Sequence, residues 1–161
     1  MDSILITGSS GFIGFHMSRL LLDNGFKVIG YDSMNTYYDI NIKKERLKLL
    51  MKKKNFEFHQ NKLENKEYLK KIFKKYSFKY VIHFAAQAGV RHSIDYPEEY
   101  IDSNIIGTFN LIECCKMFKI KHLLSASTSS VYGASNNMPF KEDESINTPM
   151  SVYAATKIST E

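Results

Sequence analysis

Thr7-Gly8-Ser9-Ser10-Gly11-Phe12-Ile13-Gly14, entered from the apolar run Ser3-Ile4-Leu5-Ile6, decides how this chain is read. A short buried strand leads into a glycine-rich turn, and a helical pattern from Phe12 to Asn24 follows, closed by Gly25. Gly8 permits the tight turn, Gly11 lets the backbone approach a pyrophosphate, and Gly14 lets the helix pack close to the sheet. The helix N-terminus adds amide donors and a partial positive charge. Three glycines at this spacing are a weak signal alone. Here the next strand-like run, Lys27-Val28-Ile29-Gly30-Tyr31-Asp32, ends in an acid, which is the context a dinucleotide site requires. Asp32 is placed to accept from both ribose hydroxyls and to repel a 2′-phosphate, so NAD is expected rather than NADP. Lys43 and Lys44 stand too far along the chain to clamp such a phosphate.

Outward from this turn, strand and helix patterns alternate. A lysine-rich helix leads to Phe56-Glu57-Phe58-His59, and a helix around Tyr68 to Tyr76 leads to Tyr80-Val81-Ile82-His83-Phe84. One long helix from about Pro97 to Phe118 precedes His122-Leu123-Leu124-Ser125-Ala126; a polar loop, Gly133 to Pro149, precedes a last helix opening near Ser151. Short apolar strands alternating with helices predict an α/β fold: a Rossmann-like, doubly wound parallel sheet with helices on both faces. Ligands in such sheets sit at the carboxyl ends of the strands, and Gly8, Asp32, Ala85 and Thr128 all follow strands. Without internal repeats or linkers, residues 1–161 read as one domain.

Composition agrees. A chain of 161 residues with 43% hydrophobic content can build a core. The excess of 22 Lys+Arg over 17 Asp+Glu lies mostly in Lys43 to Lys54 and Lys62 to Lys79. Leu47, Leu50 and Met51 at helical spacing make these the solvated faces of surface helices rather than a nucleic-acid patch. Cys114 and Cys115 are adjacent, which suits neither a disulfide nor a zinc site and predicts buried thiols; no metal site is expected. With no leader-like segment and no apolar run approaching ~18 residues, a soluble cytoplasmic chain without a membrane partner is the expectation. His16 reads as surface or packing, and His92 as a loop residue bordering the site.

The chemistry is carried by Tyr153-Ala154-Ala155-Thr156-Lys157. Residues at i and i+4 share a helix face, so phenol and ammonium project together. A free tyrosine ionises near pH ~10, and a neighbouring ammonium and an oxidised nicotinamide both favour the phenolate. The cluster Ser127-Thr128-Ser129-Ser130 follows the fifth strand, and a hydroxyl there can donate to a substrate oxygen that becomes a carbonyl.

Thr7 to Gly14, Asp32, Phe84-Ala85-Ala86-Gln87-Ala88-Gly89-Val90-Arg91, Ser127 to Gly133 and Tyr153 to Lys157 together resemble the extended short-chain dehydrogenase/reductases of the NAD-dependent epimerase/dehydratase family. With Asn35-Thr36-Tyr37-Tyr38-Asp39, the likeness is to nucleotide-sugar 4-epimerases, above all of the UDP-glucuronate type, over the amino-terminal half of such an enzyme. The resemblance implies Thr128, Tyr153 and Lys157 as the catalytic set, with Tyr153 the base and Lys157 also on the nicotinamide ribose. It implies cofactor contacts from Gly8, Gly11, Phe12, Ile13, Gly14, Asp32, Asn35, Leu63, Phe84, Ala85, Ala86 and Ser103, and sugar contacts from Gln87, Arg91, Ser129 and Ser130. The implied reaction is transient oxidation at C4 of a UDP-sugar, with hydride passed to and from bound NAD. Serines at 129 and 130 favour epimerisation, since related dehydratases carry Asp-Glu there and related decarboxylases a Glu. Two positions depart from the family pattern: Lys62 stands where an Asp usually meets the adenine amino group, and Ser33 where an Asn follows the ribose acid. Three readings stay open: a UDP-glucuronate 4-epimerase half lacking its substrate-binding domain, an epimerase for UDP-glucose or UDP-N-acetylglucosamine, and an inactive NAD-binding fragment. A homodimer is an expectation for a full-length chain.

Overall fold

Strand β1 (Ser3–Thr7) sends Ile4 and Ile6 into one core and Leu5 into another, and none of the three exceeds 3% exposure. A strand buried on both faces has to be covered on both, and the computed structural model, which describes residues 3–145 and 147–161, shows how. Helix α1 (Phe12–Asp23), strand β2 (Lys27–Asp32), helix α2 (Ile40–Met51) and strand β3 (Phe56–Gln60) follow β1. Phe15, Leu22 and Leu50 from the two helices pack with Ile4, Ile6 and Val28 on one face. Helix α3 (Lys66–Lys75), strand β4 (Phe78–His83), the short helices α4 (His92–Asp95) and α5 (Pro97–Tyr100), a π-helical segment Ile101–Gly107, helix α6 (Thr108–Met117) and strand β5 (His122–Ser125) come next. On the other face Leu69, Ile72 and Phe73 of α3 and Leu111, Cys114 and Cys115 of α6 pack with Leu5, Ile29 and Val81. A 3₁₀ turn Ser129–Tyr132 and helix α7 (Val152–Ile158) end the order.

The sheet is wholly parallel, in the order β3-β2-β1-β4-β5. Chain direction across the sheet reverses between β1 and β4, which opens a crevice beyond their carboxyl ends. Helix starts follow local chemistry. Asp39, Asn65 and Ser151 accept from the backbone amides of Asn41, Tyr68 and Ala154, contributing about 1 kcal/mol each to α2, α3 and α7.

Three expectations are corrected. The long helix from Pro97 to Phe118 is interrupted by the π segment, whose wider turn lets Asn104, Gly107 and Thr108 all face inward. Gly107 is required there, because a Cβ on it would stand 2.9 Å from Leu63 Cβ. In α2, Leu50 is fully buried but Met51 is 57% exposed, so the apolar stripe is narrower than its spacing implied. The lysine-rich faces are not uniformly solvated either: Lys43 is 6% exposed. The two cysteines are buried thiols, and burial pushes Cys115 up to about 12. Among the described residues no helix is long and apolar enough to cross a membrane.

Candidate cofactor and catalytic site

The glycine turn is held by contact rather than by preference alone. Gly8 has φ +70, and a Cβ on it would lie 2.8 Å from the Ala85 amide nitrogen on the segment leaving β4. A Cβ on Gly14 would stand 2.1 Å from the Gly8 carbonyl oxygen, so helix α1 can start this close to the turn only with glycine. The amide of Gly8 donates to the Tyr31 carbonyl at 2.7 Å and that of Gly11 to the Gly8 carbonyl at 3.0 Å. Gly11 is the N-cap and supplies no side-chain acceptor, so the first-turn amides of Phe12, Ile13 and Gly14 keep their donor capacity. The Ser9 and Ser10 hydroxyls are buried without a hydrogen-bond partner among the described residues. An uncapped helix start beside unpaired hydroxyls fits the pyrophosphate of a dinucleotide.

A cavity of about 460 Å³ opens on the Asp32 side, lined by Asp32, Ser33, Asn35, Leu63, Ala85, Gln87 and Ser103 among others. Asp32 is 4% exposed; its Oδ2 accepts from the Ser10 amide at 3.0 Å and its Oδ1 from the Met34 amide at 2.8 Å. Lys43, judged too distant from its place in the chain, reaches this wall from α2, which packs against α1 and β3. Its Nζ lies 3.6 Å from Asp32 Oδ1 and donates to Asn35 Oδ1 at 2.7 Å. Asn35 Nδ2 in turn donates to Gln87 Oε1 at 3.0 Å. Gln87, expected at the sugar, is therefore a buried bridge on this side. Lys62 lines the same cavity, and its carbonyl accepts from the Tyr31 hydroxyl.

A second cavity of about 300 Å³ lies over the glycine turn, lined by Gly8, Gly11, Phe12, Ile13, Gly14, Phe84, Ala85, Ala86, Ser127, Tyr153 and Lys157 among others. Tyr153 and Lys157 thus share a wall, as their spacing predicted. Lys157 is 7% exposed and donates to the Ala126 carbonyl at 2.7 Å; burial lowers its pKa, with Glu161 opposing. Of the serine/threonine cluster it is Ser127 that reaches the cavity. Thr128 caps the following turn, its Oγ1 accepting from the Ser130 amide at 3.3 Å. Ser129 and Arg91 are exposed and, with Ser130, lie outside both linings. His92 opens α4, stacks on Tyr96 and borders the larger cavity.

Two buried polar arrangements carry the site and went unread. Asn104, in the π segment, accepts from the Gln87 amide at 2.7 Å and donates to the Gln87 carbonyl and to Thr156 Oγ1, both at 3.0 Å. Thr156 lies between Tyr153 and Lys157 and donates to the Tyr153 carbonyl, so Asn104 ties α7 to the segment leaving β4. His83 joins Thr7 Oγ1 (2.6 Å) to Thr108 Oγ1 (2.9 Å), and Thr7 Oγ1 also accepts from the Ala85 amide. Burial, then the Lys157 ammonium, pushes His83 down to about 4, so it is neutral near pH 7. Asn and His at the ends of apolar runs were the available signals. Their partners are 17 to 76 residues away in sequence, which no local pattern discloses.

Comparison with known proteins agrees with this geometry. The chain is 49% identical over 157 residues to UDP-glucuronate 4-epimerase of Thermodesulfobacterium geofontis, covering 98% of this chain and 48% of that one. The solved UDP-glucuronic acid 4-epimerase of Bacillus cereus, in complex with UDP-glucuronic acid and NAD, superposes with TM-score 0.89 at 34% identity, covering 98% of this chain and 49% of that one. The UDP-Glc/GlcNAc 4-epimerase of Campylobacter jejuni gives TM-score 0.90 at 26% identity, covering 99% and 47%. The chain spans about half the length of the curated relatives it matches. The family model described as GDP-mannose 4,6 dehydratase matches residues 5–161, and the chain belongs to that family, a group of NAD-dependent nucleotide-sugar epimerases and dehydratases.

Proposed function

We propose that this chain is the NAD-holding part of a UDP-sugar 4-epimerase of the UDP-glucuronate type. The observation that carries the reading is the shared cavity of the Gly8–Gly14 turn with Tyr153 and Lys157. Bound NAD would supply a reversible hydride acceptor. Asp32 would take the adenosine ribose, and the uncapped amides of Phe12, Ile13 and Gly14 the pyrophosphate. Tyr153 would remove the C4 hydroxyl proton, and the Lys157 ammonium on the same helix face would favour its phenolate. Ser127 stands on the cavity wall, and Thr128, one residue on, would reach the sugar oxygen by redirecting the proton it donates to Ser130 Oγ. Arg91, Ser129 and Ser130 lie outside the cavities and would contact the sugar beyond them. Residues 1–161 form one cofactor domain in this reading, and the sugar-binding domain lies outside it. The chain would act in the cytoplasm, where UDP-sugars are made, and pair as a homodimer when the sugar-binding domain is attached.

The test is titration of NAD into the purified chain, followed by UDP-glucuronate, with NADH read by its near-ultraviolet absorbance. NAD binding that Asp32→Ala weakens, with NADH appearing on sugar addition to the wild-type chain, supports the reading. Absence of NAD binding overturns the cofactor assignment. A second reading, an epimerase of neutral UDP-sugars, is favoured by the near-equal superposition on the Campylobacter enzyme. NADH formed from UDP-glucose or UDP-N-acetylglucosamine but not from UDP-glucuronate would select it.

A further inference from the structure

The wall that holds Asp32 contains a second, opposite charge that the ribose would not touch. Lys43 lies behind two cavity-lining side chains: Asn35, which accepts from its Nζ at 2.7 Å, and Asp32, whose Oδ1 is 3.6 Å away. Its side chain is 7% exposed and its ammonium sits 5.2 Å from the centre of the Tyr38 ring. Acid in front and ammonium behind cancel as a pair, in a cavity whose lining also carries Glu64, Glu98, Glu99 and Asp102. An acid at the end of this strand repels a 2′-phosphate, whereas a nearby cation accommodates one. Here both are present, and their order decides which the ligand meets.

We propose that Lys43 is a specificity-determining residue: Asp32 screens it and keeps the site for NAD, and loss of that carboxylate uncovers a ready ligand for the 2′-phosphate of NADP. The inference rests on the dinucleotide reading of this cavity and goes beyond it, because that reading assigns Lys43 nothing. A lysine held by one neutral and one charged acceptor needs only a side-chain rotation to meet an anion placed where the Asp32 carboxylate was. Lys62 is the alternative cation, since it lines the same cavity.

Calorimetric titration of NAD and NADP separates these cases, using wild type, Asp32→Ser, Asp32→Ser/Lys43→Met and Asp32→Ser/Lys62→Met. The expected result is a rise in NADP affinity relative to NAD of about tenfold or more in Asp32→Ser. Lys43→Met should cancel this rise and Lys62→Met should leave it. A rise that survives Lys43→Met, or no rise in a folded Asp32→Ser, overturns the inference while leaving NAD binding intact. If Asp32→Ser does not fold, as judged by its melting curve, Lys43→Met alone gives the answer. The NADP-to-NAD affinity ratio should then fall below that of wild type, and an unchanged ratio overturns the proposal. Failure of wild type to bind either dinucleotide is a different outcome and removes the cofactor reading itself.

Discussion

The two cavities that meet at Ala85 are walled in different ways. On the Asp32 side the polar wall groups already bond one another: Asp32 to two amides, Lys43 to Asn35, Asn35 to Gln87, and Gln87 to Asn104. On the Tyr153 side the lining side chains bond close by, Lys157 to the Ala126 carbonyl and Ser127 to Glu161, and β5 pairs with β4 alone among the described residues, with Leu124 49% exposed. The first wall is preorganised by side chains gathered from β2, α2, the segment after β4 and the π segment. The second draws its side-chain bonds chiefly from α7 and the residues that follow β5 and α7.

The strongest way to break the comparison is to remove the floor of the cavity on the Tyr153 side. Gly14→Ala would drive a Cβ against the Gly8 carbonyl, where only backbone can yield. The expected loss is about 4 kcal/mol or more, read as a collapsed denaturant midpoint. Next is the link between the walls. Asn104→Ala removes three hydrogen bonds to Gln87 and Thr156 and should cost about 3 kcal/mol. Protease cleavage near α7 should rise with it, and a loss below about 1 kcal/mol would show that Asn104 does not tie the walls.

His83 sharpens the contrast through pH. Its folded pKa of about 4 lies below the unfolded value of 6.5, so the unfolded chain binds more protons between them. Stability is therefore full above pH ~6.5 and falls as pH drops toward ~4, by at most about 3 kcal/mol at 1.36 kcal/mol per unit. The paired carboxylates Asp23, Glu57 and Glu67 have lowered pKa values, so their stabilisation is lost as pH falls below about 5, and the span from pH 7 to about 5 is the part of the window free of them. Melting curves of wild type and His83→Gln from pH 7 to pH 4 check it; equal slopes would refute it. The smallest effect belongs to the open wall. Tyr153→Phe keeps the edge-on contact with Tyr100 and should change stability by less than about 0.5 kcal/mol, while abolishing any NADH formed on sugar addition.

Much of the outline of both walls could be read in the chain because those parts are local. The turn needs Gly8, Gly11 and Gly14 within one stretch, the acid ends the next strand, and β1 and β2 run Ser3–Thr7 and Lys27–Asp32 as their apolar runs predicted. Tyr153 and Lys157 were legible for the same reason, being one helical turn apart. The reach of Lys43 to Asp32 was not legible because it depends on how α2 packs against α1 and β3, a tertiary fact. The π segment was missed because an inserted residue in a helix leaves the apolar pattern nearly intact, and Asn104 gains its meaning only from Gln87 and Thr156. Thr128 and Ser127 differ by one residue, and strand-end geometry rather than residue type decides which hydroxyl faces the cavity.

The linings of the two cavities share only Ala85, so the space over the strand ends is divided into two lobes, one of about 460 Å³ and one of about 300 Å³. A molecule with a single ring system can fill only one lobe. AMP and nicotinamide mononucleotide should then bind side by side without competing, and competition between them in equilibrium dialysis would show that the two cavities act as one.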